Sequence, residues 1–199
     1  NISIGIDVGI KDLAVTSIEN LKFGNINKTK KVKKLEKKLR RLQRKVSKKY
    51  LKNKKGDSYR KTCNIIKLEK QIKFVYRKLN GIRNNHIHQA TNKIVKTKPS
   101  KVVMETLNIS GMMKNRHLSK AIQQQKLYEF KRQMKYKCEF NSIEFVEADK
   151  WYPSSKTCSQ CGNIKNQLSL SERVYICEEC GCVIDRDYNA SINLSRYSA

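Results

Sequence analysis

The chain has 199 residues, 38% of them hydrophobic, enough for one core of ordinary domain size plus a smaller appendage and too little for two large domains. Its 44 Lys and Arg against 17 Asp and Glu leave a formal net charge of +27, far beyond what solubility requires, so a polyanion, above all nucleic acid, is the expected partner. No apolar run approaches a membrane span, no secretory leader pattern is visible, and seven cysteines, four of them in CxxC pairs, fit a reduced, metal-carrying protein better than a disulfide framework.

The first residue is Asn1 and a strand pattern begins at once, so the chain is expected to be part of a longer product. Ile2, Ile4, Ile6 and Val8 alternate onto one strand face, which leaves Asp7 on the other between Gly5 and Gly9. A turn around Gly9 to Asp12 leads to a second strand over 13–18, and a third is expected near 21–23. From Lys28 to Arg60 seventeen Lys or Arg face two acids, yet Val32, Leu35, Leu39, Leu42 and Val46 recur at spacings of three and four. After a polar break near 53–58, Ile65, Leu68, Ile72, Val75, Leu79 and Ile82 resume the seam, interrupted little by Gly81. Together these predict an antiparallel helical hairpin with a strongly basic outer face. His86 continues the seam, and His88 and His117 have no partner at ligand spacing, so all three histidines read as structural.

Pro99 ends the helical stretch, and 101–105 reads as a strand with Val102 and Met104 on one face and Val103 and Glu105 on the other. A continuous helix is expected over 118–138, with Leu127, Phe130, Met134 and Cys138 on its inner face, followed by a short strand over 143–146. Residues 187–197 read as a closing helix with Asp187 placed to cap its start. The expected fold class is α/β, compatible with an RNase H-like mixed sheet carrying two insertions. Its core comprises 1–27, 98–150 and 183–199, with the basic hairpin inserted at 28–97 and a cysteine-bearing segment at 151–182. Periodicity alone does not choose this fold over other α/β arrangements.

Cys158-Ser-Gln-Cys161-Gly162 and Cys177-Glu-Glu-Cys180-Gly181 are two knuckles separated by fifteen residues, the spacing of a tetrahedral, all-thiolate structural zinc site, or zinc ribbon. Each glycine permits the tight turn that aims two thiolates at one ion. Cys182 competes with Cys180, which is preferred because it completes the second CxxCG; Cys63, Cys138 and Cys182 read as ordinary thiols. Asp7 and Glu105 sit off the apolar faces of their strands, where a divalent cation such as Mg²⁺ is an economical partner for buried carboxylates, and Asp187 offers a third ligand. Glu144, Glu147, Asp149 and Asp185 are rivals that spacing does not exclude. Trp151 and Tyr152 are expected to wedge the ribbon against the core, with base stacking as the alternative. The Ser154-Ser155-Lys156 run beside the ribbon is a candidate phosphate contact.

The strings Gly5-Ile-Asp-Val-Gly-Ile-Lys-Asp-Leu-Ala-Val15, Val103-Met-Glu-Thr-Leu-Asn-Ile-Ser-Gly-Met-Met113, Trp151-Tyr-Pro-Ser-Ser-Lys-Thr-Cys158 and Asp185-Arg-Asp-Tyr-Asn-Ala190 resemble the TnpB family of insertion-sequence proteins, relatives of type V CRISPR effectors. The resemblance implies a RuvC-type, Mg²⁺-dependent DNA nuclease of RNase H-like fold in which Asp7, Glu105 and Asp187 match the three metal-binding acids. The Asp-x-Asn-Ala pattern selects Asp187 over Asp185. The presence of all three acids separates the chain from nuclease-dead repressors of the same descent. The resemblance further implies a DNA target, a guide RNA made from the transposon end, a prokaryotic cytoplasmic setting on the nucleoid, and a recognition region that precedes the first strand and is missing here. The one-sided charge of the basic hairpin favours contact with a guide–target duplex backbone over a merely solvated face, and the zinc ribbon is expected to load the target strand. Thr106, where the family often has an acid, and Lys150, where it commonly has Arg, depart from the pattern. Two competing readings are a zinc-ribbon nucleic-acid-binding protein of a transposition complex without nuclease activity, and an unguided junction or flap nuclease.

Overall fold

The computed structural model describes residues 2–169 and 171–198; the strand expectation at Asn1 lies outside them. In chain order the elements are β1 (Ser3–Val8), β2 (Asp12–Thr16), β3 (Lys22–Gly24), α1 (Lys30–Lys52), β4 (Lys54–Lys55), β5 (Ser58–Tyr59), α2 (Cys63–Lys96), β6 (Lys101–Glu105), α3 (Ile109–Met113), α4 (Ser119–Gln125), α5 (Leu127–Phe140), β7 (Glu144–Ala148), β8 (Val174–Ile176), β9 (Val183–Asp185) and α6 (Arg186–Ser195). They group into two compact units, residues 1–25 with 87–199 and residues 26–86.

The first unit is built on a mixed five-stranded sheet of order β3-β2-β1-β6-β7. β1 and β2, and β2 and β3, are antiparallel, whereas β1, β6 and β7 run parallel. The alternation in β1 does what the sequence suggests: Ile4, Ile6 and Val8 join Leu13, Val102 and Met104 in one core, covered by Ile87 and Ile94 of α2 and by Ile122, Phe130 and Met134 of α4 and α5. Burying each such side chain contributes about 1.5–3 kcal/mol. Ile2 departs from the expectation, because β1 starts at Ser3 and Ile2 is exposed. The last turns of α2 belong to this core rather than to the basic hairpin.

α6 covers the opposite face, with Leu194 packed on Val103 and Ala148. The approach is close enough that a Cβ at Gly5 would lie 2.0 Å from the Ser191 carbonyl oxygen and 2.3 Å from the Ser195 nitrogen. Gly5 is therefore what lets α6 lie on β1.

The helix expected over 118–138 is broken at Lys126, whose φ of 55° is left-handed. Ile122 and Leu127 are both buried, yet five residues on a straight helix would turn them well apart; the break brings both into the core. The closing helix is capped by Asp185 rather than Asp187: the Asp185 carboxylate accepts from the backbone N–H of Asp187 (3.0 Å) and Tyr188 (3.1 Å). Asp185 holds the extended backbone that an N-cap requires, and Asp187 falls in the first turn.

In the second unit, α1 and the first part of α2 pack through Val32, Leu39, Leu42, Val75 and Leu79. Glu36 pairs with Arg83, Gln43 with Tyr76 and Tyr50 with Glu69, so partners step in sevens and in opposite directions, the signature of an antiparallel coiled-coil hairpin. The connection is a small antiparallel ribbon of β4 and β5 around Gly56, whose φ is 57°.

Candidate active site and metal centre

Asp7 and Glu105 come together because β1 and β6 are parallel and in register. Ile6 pairs with Met104, so the next residue on each strand sits at the same level, and both carboxyl groups lie on the face covered by α6. Asp187, in the first turn of α6, lines the same pocket of about 460 Å³, which is also walled by Ser154, Ser155, Arg173 and Arg186. None of the rival acids reaches it. Asp185 caps α6, Glu147 pairs with Lys131, Asp149 accepts from the Trp151 backbone N–H, and Glu144 is exposed at the start of β7. The three histidines are likewise absent from its walls.

Burial, then the charges of Glu105 and Asp187, hold the Asp7 carboxyl well above its ordinary range. Burial and Asp187 also push Glu105 up, to about 7, although a hydrogen bond from Asp7 and the nearby Arg186 guanidinium oppose the rise. Without a cation both carboxyl groups are thus held above their ordinary range, and the two titrate as a pair. Among the described residues no ion pair joins any of the three acids to Lys or Arg. Their oxygens do not all lie within 4.8 Å of one another, so they do not close a shell around a single ion in this arrangement. Carboxylate oxygen is the hard donor type that magnesium takes.

Arg173 and Arg186 are pocket residues that sequence reasoning missed. Arg186 has one signal, its place between two aspartates; its guanidinium is steadied by the Ser169 carbonyl at 3.0 Å. Arg173 has none, since only the fold returns it to the acids. Thr106 donates to the Ala148 carbonyl (2.7 Å) and ties β6 to β7.

The cysteine centre is built from two equivalent turns. The Cys158 N–H donates to Asn163 O and the Gly162 N–H to Cys158 O; the Cys177 N–H donates to Cys182 O and the Gly181 N–H to Cys177 O. Gly162 and Gly181 take left-handed φ values of 79° and 70°, the freedom the sequence asks of them. Cys158, Cys161, Cys177 and Cys180 form a cluster able to hold a metal ion, with Sγ–Sγ separations of 3.7 Å (Cys158 to Cys180) and 3.6 Å (Cys161 to Cys177). A tetrahedron with metal–sulfur bonds of about 2.3 Å has edges of about 3.8 Å, so the donors fit zinc. The four thiols shift as a set: against burial, the backbone N–H groups of Cys161 and Gln160 hold Cys158 down at about 6, and against the Cys182 backbone N–H, burial and the other three thiols push Cys180 up to about 12. Cys182 lies outside the cluster, packed beside it. Tyr175 is fully buried against Cys158 and Cys177 and donates to Lys156 O at 3.0 Å.

The ribbon is fastened to α6 by buried amides. Asn189 accepts from the Ser159 N–H and donates to Thr157 O, while Asn193 donates to Ser154 O and Thr157 O. Tyr152 packs as expected, its ring 4.9 Å from that of Tyr197 and its hydroxyl donating to Asn193 O. Trp151 does not: it is 80% exposed, so the packing expectation fails for it.

Comparison with solved structures places the fold. The chain superposes on a protein of a CRISPR-Cas12f ternary complex with a TM-score of 0.66 and 25% identity, covering 98% of this chain and 38% of that one. The fold and site thus define a mixed α/β chain of the kind found in Cas12f, with a four-cysteine metal centre beside an acidic pocket. The family model described as "Probable transposase" (OrfB of IS605) matches residues 1–116, and one described as "Cas12f1-like, TNB domain" matches residues 128–194. The chain belongs to this OrfB_IS605 transposase family, and a TnpB-like protein of Acanthamoeba polyphaga mimivirus is 30% identical to it over 128 residues, 61% of this chain and 24% of that protein. A Streptomyces pristinaespiralis protein provisionally named RNA-guided DNA endonuclease is 33% identical over 193 residues, 96% of this chain and 44% of that protein. A Mycobacterium tuberculosis protein with the same provisional designation is 30% identical over 200 residues, 98% of this chain and 41% of that protein. The chain spans less than half the length of these curated relatives. Among the described residues no helix is long and apolar enough to cross a membrane.

Proposed function

We propose that the chain is the catalytic portion of a transposon-encoded, RNA-guided DNA endonuclease, with Asp7, Glu105 and Asp187 holding magnesium and Cys158, Cys161, Cys177 and Cys180 holding a structural zinc. The convergence of one acid each from β1, β6 and α6 on a single pocket carries the reading. The RNase H-like assignment is supported by the sheet, in which three antiparallel strands continue into parallel β6 and β7. Names of the relatives supply the RNA guide and the DNA target, and their additional length leaves room for guide recognition outside these residues.

Magnesium, when bound, would supply an activated water and neutralise charge on the leaving oxygen. The chain's own contribution begins with Asp7 and Glu105, whose raised hold on protons must be overcome before both groups can act as ligands. Arg173 and Arg186 attract a phosphate into the pocket, and Ser154 and Ser155 face it there. The basic hairpin, with Lys45, Lys48, Lys49, Lys52 and Lys67 around one groove, holds a nucleic-acid backbone by charge and shape. The ribbon steers a single strand past the acids.

The test is Mg²⁺-dependent cleavage of single-stranded DNA by the chain and by Asp7→Ala, with strand binding measured alongside. Cleavage is expected from the unaltered chain and not from the variant, at equal binding. Equal cleavage by both overturns the acid assignment; binding without cleavage by either, with the guide RNA and the relatives' additional segments supplied, favours a nucleic-acid-binding role.

A further inference from the structure

Trp151 stands out among the exposed aromatic side chains. It is the chain's only tryptophan, it is 80% exposed, and it carries the Lys150 ammonium 4.9 Å from its ring centroid. A large ring left in water forgoes the stabilisation that burial normally brings. Its backbone is nonetheless fixed. The Trp151 N–H donates to Asp149 Oδ1 (2.7 Å), the Tyr152 N–H closes a turn onto Asp149 O (3.1 Å), and Tyr152 is clamped on Tyr197. A loose surface loop does not account for the exposure.

The position is equally specific. Ala148, the last residue of β7, is the register neighbour of Glu105 on β6, so Asp149 to Trp151 leave the sheet at the end that presents Asp7 and Glu105. Three residues of chain and one strand spacing put the Trp151 Cα no more than about 16 Å from that of Glu105. Ser154 and Ser155, a few residues further on, wall the acid pocket itself.

We propose that Trp151 is a base-stacking platform for a single-stranded polynucleotide, with Lys150 beside it to meet the backbone, and that it anchors a nucleotide neighbouring the one in the acid pocket. Every base offers a π-face, so the contact holds a strand without reading its sequence. A chain of net charge +27 makes a polynucleotide the complementary occupant. The placement rests on the nuclease reading only in assuming that a strand enters the acid pocket; the stacking itself does not require cleavage.

The test is a titration of the chain with single-stranded oligothymidylate in magnesium-free buffer without chelator, so that the strand stays intact and the cysteine cluster keeps its metal. Emission from the single tryptophan reports stacking, and anisotropy of a labelled strand reports binding. Saturating strand is expected to quench the emission, and a strand of the same length with abasic sites to bind more weakly. Trp151→Ala should weaken binding by between about 5- and 150-fold, the range for one stacked base, and shrink the preference for base-bearing strand; Trp151→Tyr should restore part of both. Parallel titrations with DNA and RNA strands identify which is preferred. Unquenched emission at saturation, unchanged affinity in Trp151→Ala, or absence of strand binding each overturns the proposal. Quenching without magnesium-dependent cleavage, once the guide RNA and the relatives' additional segments are supplied, leaves it standing while removing the nuclease reading.

Discussion

The Asn189 carboxamide oxygen accepts the Ser159 backbone N–H at 2.9 Å, and its nitrogen donates to the Thr157 carbonyl at 2.7 Å. One fully buried side chain, two residues after Asp187, thus holds both flanks of Cys158. Asn189→Ala would strand the Ser159 N–H, at a cost of about 1–3 kcal/mol for a buried unsatisfied donor, while Thr157 O keeps its bond from Asn193. The expected outcome is a lower melting temperature and faster zinc release to a chromogenic chelator. Equal release from wild type and Asn189→Ala would remove the coupling between ribbon and helix.

Gly5→Ala tests the contact of β1 with α6. The added methyl would meet backbone atoms at 2.0 and 2.3 Å, and helix backbone cannot yield as a side chain tip can. Overpacking of this kind costs about 1–3 kcal/mol or more. α6 must shift, and Asp187 with it, so thermal unfolding should move down and cleavage should fall together. Gly81→Ala is the control: a Cβ there meets nothing within 4 Å, and in a helix interior it should stabilise slightly.

Much of this was legible because it is local. A strand's period of two places Asp7 opposite Ile6 and Val8 whatever the rest of the chain does, and CxxCG spacing closes a knuckle by itself. The choice between Asp185 and Asp187 as cap was not local in that sense: it turns on which residue holds extended backbone, and two aspartates two apart offer the same chemistry. The break at Lys126 hid inside an apolar rhythm that looks the same across one left-handed residue. Exposure of Trp151 and arrival of Arg173 at the acids depend on contacts between segments far apart in sequence, which no periodicity records.

Glu105 makes metal-free stability depend on pH in a defined sense. Its folded pKa, about 7, lies above the ordinary 4.5, so the folded state binds the proton more tightly than the unfolded chain. The associated stability is complete below about pH 4.5 and is lost as pH rises through about 7; Asp7, raised in the same direction, adds to the loss. The melting temperature of the wild type relative to Glu105→Gln, measured without magnesium, should therefore fall across that window. Added magnesium binds the ionised acids and should stabilise the wild type most above pH 7. A relative melting temperature that rises across the window would contradict a raised Glu105 pKa.

Cys180→Ser and Cys182→Ser separate ligand from neighbour. Cys180 belongs to the four-thiolate cluster, and Cys182 packs beside it, joined to Cys177 through its backbone carbonyl. Cys180→Ser should lose zinc on dialysis and, with it, protection of the segment between the knuckles against protease, since structural zinc contributes on the order of 10 kcal/mol to small domains that depend on it. Cys182→Ser should keep one zinc per chain, because its backbone bond does not involve the thiol. Zinc retained by Cys180→Ser but lost by Cys182→Ser would exchange the two assignments and make the second ligand pair Cys177 and Cys182, with four residues between them in the chain.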